Sequence, residues 1–209
     1  MYNYEEIYQT MKKAAKFALI KTIPIFLGYL FLGIAFGLLL QKSGLGVFWA
    51  FLISTLVYAG SMQFALVGIL TGGLSYVTTA VMTLFINSRH AFYGLTFIER
   101  FKEMRKTYPY MVFSLTDETY SLLCSMARPS DFTDREWKAA TFFTSFFDQC
   151  YWIAGSVLGA LMGELITFDT TGIDFAMTAL FVVICVDQWK AAKTHIPAVT
   201  GFICGALFL

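Results

Sequence analysis

Charged residues are scarce in this sequence, and their scarcity argues against a soluble protein. Asp, Glu, Lys and Arg make up 14% of the 209 residues, compared with about 25% in an ordinary soluble domain. Apolar residues make up 57%, and the mean hydropathy is +0.64. So few charges could not cover the surface of a soluble domain, so we predict one integral membrane domain over residues 1–209. The net charge of +1 gives no basis for binding nucleic acid.

The motifs of the common enzyme and metal classes are also missing. The sequence has no glycine-rich phosphate loop, no pair of histidines spaced for zinc and no nucleophile elbow. Its four cysteines stand alone in apolar runs, without the close pair that indicates a metal or redox site. We therefore predict no enzyme activity, no cofactor and no metal. Any energy must come from an ion gradient, the substrate's own gradient or a separate subunit.

Long apolar runs are what the chain does contain. A spanning helix needs about 20 mostly apolar residues, and a continuous run in lipid favours a helix because a helix satisfies its own backbone groups. We therefore predict an all-α, polytopic bundle of transmembrane helices with about seven hydrophobic segments. They cover residues 17–40, 47–70, 74–98, 110–126, 139–165, 175–189 and 196–209. The last segment is too short for a full span, so we expect a truncated C-terminus.

Lysines before the first segment indicate its orientation. Residues 1–16 are predicted to form a cytoplasmic amphipathic lead-in to an uncleaved first helix. The excess of basic residues on that side places the N-terminus inside the cell. The loop after the third segment contradicts this rule, because it would put Arg100, Lys102, Arg105 and Lys106 outside. A third or fourth segment that is re-entrant rather than spanning would explain the contradiction.

Two glycine pairs indicate an internal repeat. Gly33 and Gly37 match Gly155 and Gly159 at a constant offset of 122 residues, and many transporters are built from such repeats. The alternative is that each pair only allows two helices to approach closely.

Polar residues inside the apolar segments are the candidates for function, because they are costly in lipid. The candidates for substrate binding are Gly60, Ser61 and Gln63 in the second segment and Asn87, Arg89, His90 and Tyr93 in the third. The second segment is either interrupted near Gly60 or holds one interhelical hydrogen bond from Gln63. Arg89 could bind a carboxylate, or could instead cap a helix or pair with Asp117.

Three carboxylates are candidates for proton coupling or for ion pairs, namely Asp117, Glu118 and Asp148. Asp117 and Glu118 are neighbours, so on a helix they point about 100° apart and need not share a partner. One of them could carry a proton while the other pairs with Arg89. Alternatively, their segment is interfacial and both are simply solvated.

Several of these motifs together resemble the AzlC family, the large subunits of bacterial branched-chain amino acid exporters. The resemblance covers about residues 17–193 and rests on Pro24 with Gly33 and Gly37, Ala59-Gly-Ser-Met-Gln63, Asn87-Ser-Arg-His-Ala-Phe-Tyr-Gly94, Leu115-Thr-Asp-Glu-Thr-Tyr120, Tyr151-Trp152 with Gly155 and Gly159, and Gly172-Ile-Asp-Phe-Ala176. It implies a multi-pass permease of the bacterial inner membrane with a small AzlD-like membrane subunit as its partner. It also implies export of valine, leucine, isoleucine or related amino acids, including methionine. The alternative from another class is a membrane scaffold or regulatory subunit that does not transport.

Overall fold

The computed structural model describes residues 4–165 and 194–208, together with single positions at 175, 179, 182–183, 185–186, 189–190 and 192. All regular elements in these residues are helical. The chain divides into two compact units, Met1–Thr170 and Thr171–Leu209. The first unit holds α1 (Tyr4–Lys42), α2 (Val47–Leu56), α3 (Gly60–Gly72), α4 (Tyr76–Lys102), a 3-10 turn (Arg105–Thr107), α5 (Tyr108–Phe113), α6 (Asp117–Ser125) and α7 (Asp134–Leu165), and the second unit holds α8 (Ile196–Phe208).

The centre of the first unit is a parallel pair of long helices, α1 and α7. Near their first turns, Lys13 Nζ lies 3.3 Å from Glu136 Oε1. Near their last turns, a Cβ added at Gly163 would lie 3.1 Å from Cγ of Gln41. Both helices therefore run in the same direction. With 39 and 32 residues and a rise of 1.5 Å per residue, both are longer than the roughly 30 Å of a bilayer core.

Glycines set the distance between α1 and α7. A Cβ on Gly33 would lie 3.0 Å from Cα of Gly155, and a Cβ on Gly159 would lie 2.7 Å from Cα of Ile34. Any side chain at these positions would force the helices apart, so the predicted role of these glycines in close packing is confirmed. Pro24 lies inside α1, which continues through it.

The second hydrophobic segment folds back on itself. Ile53 and Gln63 would be about 15 Å apart along a straight helix, yet Gln63 Nε2 donates to the carbonyl of Ile53 at 3.2 Å. The chain therefore reverses between α2 and α3. The predicted interruption near Gly60 is confirmed, but the segment is a helical hairpin with its tip at residues 57–59. We call this the α2–α3 hairpin.

The fourth segment forms a second hairpin, which we call the α5–α6 hairpin. Met111 and Leu123 would be about 18 Å apart along a straight helix, but they belong to one core cluster. The tip is at residues 114–116. Thr116 caps α6, because its side-chain oxygen accepts a hydrogen bond from the Thr119 amide at 3.4 Å. The fourth segment therefore folds back on itself, which is consistent with the re-entrant alternative.

The third segment is a single helix, α4, that runs antiparallel to α7. Near the end of α4, Arg100 Nη2 donates to Thr141 Oγ1 at 2.8 Å, close to the start of α7. Glu103 also pairs with Lys138 at 3.0 Å. A re-entrant third segment was therefore the wrong alternative. Ser75 begins α4 by accepting a hydrogen bond from the Thr78 amide at 3.2 Å.

The predicted count of seven segments is not confirmed. Among the described residues, α1 is the one helix both long and apolar enough to cross a membrane, with a mean hydropathy of 2.4 in its most apolar window. The helices α2 and α3 are apolar but too short to cross alone. The segment predicted at residues 175–189 falls mostly outside the described residues.

Candidate functional site

A pocket opens where the tips of the two hairpins meet. Its volume is about 260 Å³, and Tyr58 of one tip lies 6.4 Å from Phe113 of the other, measured between ring centroids. The lining is mostly apolar, with three polar side chains among it. The lining residues are Leu56, Val57, Tyr58, Ala59, Asn87, His90, Val112, Phe113 and Leu115. A small apolar pocket with a few polar groups is typical of a binding site for a small molecule.

The polar side of this pocket belongs to α4. Asn87 and His90 line it, three residues apart and therefore on the same face of the helix. The Oδ1 atom of Asn87 is buried and has no hydrogen-bond partner in the part of the chain that the structure describes. A buried acceptor without a partner is costly, so this oxygen is available to a ligand.

An ion pair joins α4 to the starts of α3 and α6. Arg89 Nη2 lies 2.8 Å from Asp117 Oδ2 and also donates to the hydroxyl of Ser61. The two charged side chains are 25% and 20% exposed, so the pair is partly accessible. The pairing of Arg89 with Asp117, one of the sequence alternatives, is confirmed. Arg89 Nε and Asp117 Oδ1 are buried, and neither has a hydrogen-bond partner among the residues that the structure describes.

A chain of hydroxyl groups connects the other two candidate carboxylates. Tyr29 donates to Glu118 Oε2 at 2.8 Å, and Thr119 donates to Asp148 Oδ2 at 2.8 Å. Thr116 bridges them, since its hydroxyl lies 2.6 Å from Tyr29 Oη and donates to Thr119 Oγ1 at 3.1 Å. Asp148 is fully buried, and its Oδ1 has no hydrogen-bond partner among the described residues. Glu118 and Asp148 are thus two ends of one network.

Gln63 occupies a supporting position beneath the tip of the α2–α3 hairpin. Its amide nitrogen donates to the carbonyls of Ile53 and Val57, each at 3.2 Å. Its oxygen accepts a hydrogen bond from Trp152 Nε1 at 2.6 Å. The Val57 carbonyl, just after α2, thereby gains a partner, and the Ile53 carbonyl gains a second one beside the Val57 amide at 2.8 Å. The interhelical hydrogen bond that the sequence offered as one alternative is therefore present, alongside the interruption.

Gly60 and Tyr93 border these groups. Gly60 is the first residue of α3, and a Cβ there would lie 3.2 Å from the Trp152 ring. Ala59 precedes it without a capping side chain, so the first amides of α3 are free for other acceptors. Tyr93 stacks on Tyr120 with ring centroids 4.4 Å apart. The structure thus gathers all ten predicted site residues around the hairpin tips and α7.

Tyr29 was missed as a functional residue by the sequence analysis. Its hydroxyl sits between Thr116 and Glu118, within the hydroxyl chain. The available signal was its spacing, because Tyr29 lies four residues before Gly33 and therefore on the face of α1 that packs on α7. In the part of the chain that the structure describes, no group of three His, Cys, Asp or Glu side chains could hold a metal ion.

Comparisons with known proteins confirm the family resemblance. The AzlC protein family matches residues 24–166. A branched-chain amino acid transport protein, AzlC of Bacillus subtilis, is 37% identical over 180 residues, which is 86% of this chain and 70% of the relative. An uncharacterized membrane protein of Helicobacter pylori is 37% identical over 200 residues, 94% of this chain and 86% of the relative. The inner membrane protein YgaZ of Escherichia coli is 25% identical over 193 residues, 89% and 77% of the two chains.

This chain belongs to the AzlC family. No solved structure matches it.

Proposed function

We propose that this protein is a secondary transporter that exports branched-chain amino acids across the bacterial inner membrane. Valine, leucine and isoleucine are the proposed substrates, with methionine as a further candidate. The observation that carries the proposal is the apolar pocket between the two hairpin tips, with Asn87 and His90 on its polar side. The printed name of the Bacillus subtilis relative, a branched-chain amino acid transport protein, supports the substrate class.

The ion pair beside the pocket suits a zwitterion. Arg89 Nε and Asp117 Oδ1 have no hydrogen-bond partner among the described residues. Once a movement of the helices exposes these buried atoms, a substrate carboxylate can bond the first while the ammonium bonds the second. Asn87 Oδ1 offers the ammonium another acceptor. The free amides at Gly60 and Ser61 add partial positive charge for the carboxylate. The apolar lining then accepts the side chain, while Gln63 and Tyr93 hold the surrounding helices.

A proton gradient is the energy source that we propose. Asp117, Glu118 and Asp148 supply the carboxylates that such coupling needs, because intramembrane Asp and Glu residues form the proton relays of many transporters. The proposed protein is the large subunit of a pair, working with a small AzlD-like membrane protein. This role involves no enzyme chemistry.

Efflux of preloaded, labelled leucine, valine and isoleucine from expressing cells tests this function. The cells are compared with and without the AzlD-like subunit, and with and without a proton uncoupler. We expect efflux that requires the small subunit and stops when the uncoupler is added. Absence of efflux of all three amino acids under every condition would favour a scaffold or regulatory role instead.

Variants of the ion pair test the proposed site. Asp117→Asn removes a charge while keeping the shape of the side chain, and Arg89→Gln removes the guanidinium. We expect each to reduce leucine efflux at least tenfold, because the zwitterion loses a charged partner. Ser88→Ala is the matched control on α4, since the Ser88 hydroxyl is exposed and bonds only the Phe85 carbonyl of its own helix. Full efflux by both charge variants would contradict the proposal that Arg89 and Asp117 bind the substrate.

A further inference from the structure

When both acids are ionised, the chain of hydroxyl groups between Glu118 and Asp148 has fewer hydrogens than oxygen–oxygen contacts. Four oxygen–oxygen contacts join Glu118, Tyr29, Thr116, Thr119 and Asp148 in series. The three hydroxyls within this series supply three hydrogens, one each from Tyr29, Thr116 and Thr119. If both carboxylates are ionised, one of the four contacts has no hydrogen.

With both acids ionised, Tyr29 and Thr119 must donate to them, and the single hydrogen of Thr116 can serve only one of its two contacts, with Tyr29 or with Thr119. One such arrangement has it on Thr119. Tyr29 uses its hydrogen on Glu118, Thr116 uses its hydrogen on Thr119, and Thr119 uses its hydrogen on Asp148. The contact left over joins Tyr29 Oη and Thr116 Oγ1, which are 2.6 Å apart. Two oxygens at this distance repel each other unless a hydrogen lies between them. The chain is therefore one proton short when both acids are charged.

A single added proton completes the network, and it can do so from either end. If the proton is on Glu118, every hydroxyl donates towards Asp148. If it is on Asp148, every hydroxyl donates towards Glu118. A second added proton would give five hydrogens for four contacts and would leave one without an acceptor in the chain. The network thus fits one proton for the two acids.

We propose that Glu118 and Asp148 share one proton, which passes between them along the hydroxyls of Tyr29, Thr116 and Thr119. In the transfer from Glu118 to Asp148, each of Glu118, Tyr29, Thr116 and Thr119 gives one hydrogen to its neighbour. Four O–H bonds break and four form, every hydroxyl stays neutral, and the negative charge moves from Asp148 to Glu118. No oxidant, reductant or metal is required.

The two acids differ in burial, and this difference indicates at which one the proton enters. Glu118 is half-buried, while Asp148 is fully buried with no cation among its described hydrogen-bond or ion-pair partners. The proton therefore enters at Glu118. Glu118 adjoins Asp117, which pairs with Arg89 beside the pocket, so a change of charge on Glu118 acts on the ion pair. This last step alone rests on the proposed transport function.

Infrared spectroscopy of the full chain in lipid nanodiscs tests the sharing directly. The measured signal is the C=O stretching band of a protonated carboxylic acid at neutral pH, with Glu118→Gln and Asp148→Asn as variants. Either amide can donate into the chain in place of the proton. We therefore expect a band equal to one carboxyl group in the wild type, and its complete loss in each single variant.

Other results of this measurement overturn the proposal. Two independently protonated acids would give a band of two carboxyl groups, of which each variant removes half. Two permanently ionised acids would give no band. Thr119→Val cuts the chain and should shift the band, while Thr119→Ser keeps the hydroxyl and should preserve it. An unshifted band in folded Thr119→Val protein also contradicts a continuous chain.

Transport assays then separate this inference from the proposed function. Thr119→Val and Tyr29→Phe should lose leucine transport driven by a pH gradient at least tenfold, while keeping leucine exchange across vesicles without a gradient. Retention of gradient-driven transport in both variants would overturn the relay. A wild-type protein that moves no leucine in either assay would refute the transport function, while the infrared result would still decide whether the proton is shared.

Discussion

Single glycines decide how closely α1 and α7 pack. A methyl group at Gly159 would lie 2.7 Å from Cα and 2.8 Å from the carbonyl carbon of Ile34. These are backbone atoms, so a change of side-chain rotamer cannot relieve the clash. We therefore expect Gly159→Ala to destabilise the protein by about 1–3 kcal/mol, as overpacking does. The measurement is the unfolding free energy or the melting temperature of the purified protein in detergent.

Gly28 provides the matched control on α1. Among the described residues, nothing lies within 4 Å of a Cβ added there, so Gly28→Ala should not destabilise the protein and should gain up to about 1 kcal/mol from the helix preference of alanine. Equal melting temperatures for the two alanine variants would contradict the close approach of α1 and α7.

The ion pairs of Lys13 make the stability of the contact between the start of α1 and the start of α7 dependent on pH. It lies 3.1 Å from Asp131 Oδ2 and 3.3 Å from Glu136 Oε1, at an exposed end of the bundle. The hydrogen bond from Lys13 lowers the pKa of Asp131, and hydrogen bonds from Thr133 and then Lys13 lower the pKa of Glu136. Carboxylates with a lowered pKa stabilise the folded state above their ordinary pKa values, and this contribution disappears as the pH falls through the folded-state values.

Replacing Lys13 should therefore matter more at neutral pH than in acid. We expect Lys13→Met to lower the melting temperature slightly at pH 7, because exposed ion pairs are weak. Well below the ordinary pKa values of Asp131 and Glu136, 3.8 and 4.5, the difference from the wild type should shrink to what the hydrogen bond to the Asp131 carbonyl and the contact with the Phe132 ring contribute. Lys16→Met is the control, and a difference that persists unchanged in acid would mean that Lys13 acts by packing alone.

At the scale of elements, the α2–α3 hairpin depends on side chains that replace helix hydrogen bonds at its tip. Gln63→Leu would remove three bonds, leaving the carbonyls of Ile53 and Val57 and the Trp152 N–H without this partner. Interhelical hydrogen bonds in membranes contribute about 0.6–2 kcal/mol each, so we expect a loss of about 2–4 kcal/mol in unfolding free energy.

Thr55→Val serves as the control for the hairpin. The Thr55 hydroxyl is exposed and bonds only the Phe51 carbonyl in its own helix, so its loss should be nearly neutral. If Gln63→Leu were equally neutral, the bonds beneath the tip would not be holding the hairpin.

The sequence indicated an interruption in the second segment but not its reversal, and it offered a re-entrant third or fourth segment only as alternatives. The Gly-Ser-Met-Gln run correctly marked an interruption near Gly60, because glycine and polar residues weaken a helix in lipid. Whether the chain then continues or turns back depends on Gln63 reaching Ile53 and on Gln149 donating to the Thr55 carbonyl at 3.3 Å. Gln149 lies far along the chain, and periodicity carries no information about such contacts. The hydroxyl chain was missed for the same reason, since Tyr29 meets Glu118 only after α1 and α6 have packed.

For the molecule as a whole, two hairpins that enter from opposite sides change the expected topology. The start of α1, the end of α4 and the residues between α6 and α7 lie at one end of the bundle, as the contacts of Lys13 and Arg100 show. We therefore expect cysteines at 43 and 75 to react from one side of the membrane, and cysteines at 106 and 130 from the other. Labelling intact cells and lysed cells with a thiol reagent that cannot cross the membrane measures this.

The labelling requires a background without the native cysteines, because Cys124 is exposed. The substitutions are Ser43→Cys, Ser75→Cys, Lys106→Cys and Ser130→Cys. If the second segment were a single span, positions 43 and 75 would react from opposite sides, and the hairpin would be wrong.

The same topology accounts for the basic residues that contradicted the positive-inside rule. With seven spans, Arg100, Lys102, Arg105 and Lys106 lie outside the cell. In the bundle they follow α4 to the end where Lys13 also lies, so the excess of basic residues there increases. The count of basic residues thus favours this topology over seven spans, although hydropathy alone cannot distinguish them, because re-entrant and spanning segments have similar hydropathy.

The dependence of both hairpins on α7 also constrains how the protein is made. The backbone at residues 57–59 and 114–116 is irregular, and irregular backbone is tolerated at membrane depth only when protein covers it. The partners for these tips include Asp148, Gln149 and Trp152, which leave the ribosome last among the groups involved. Neither hairpin can therefore adopt its final position in the membrane until α7 has been translated. We expect a chain that stalls before α7 to be recognised as incompletely folded and degraded.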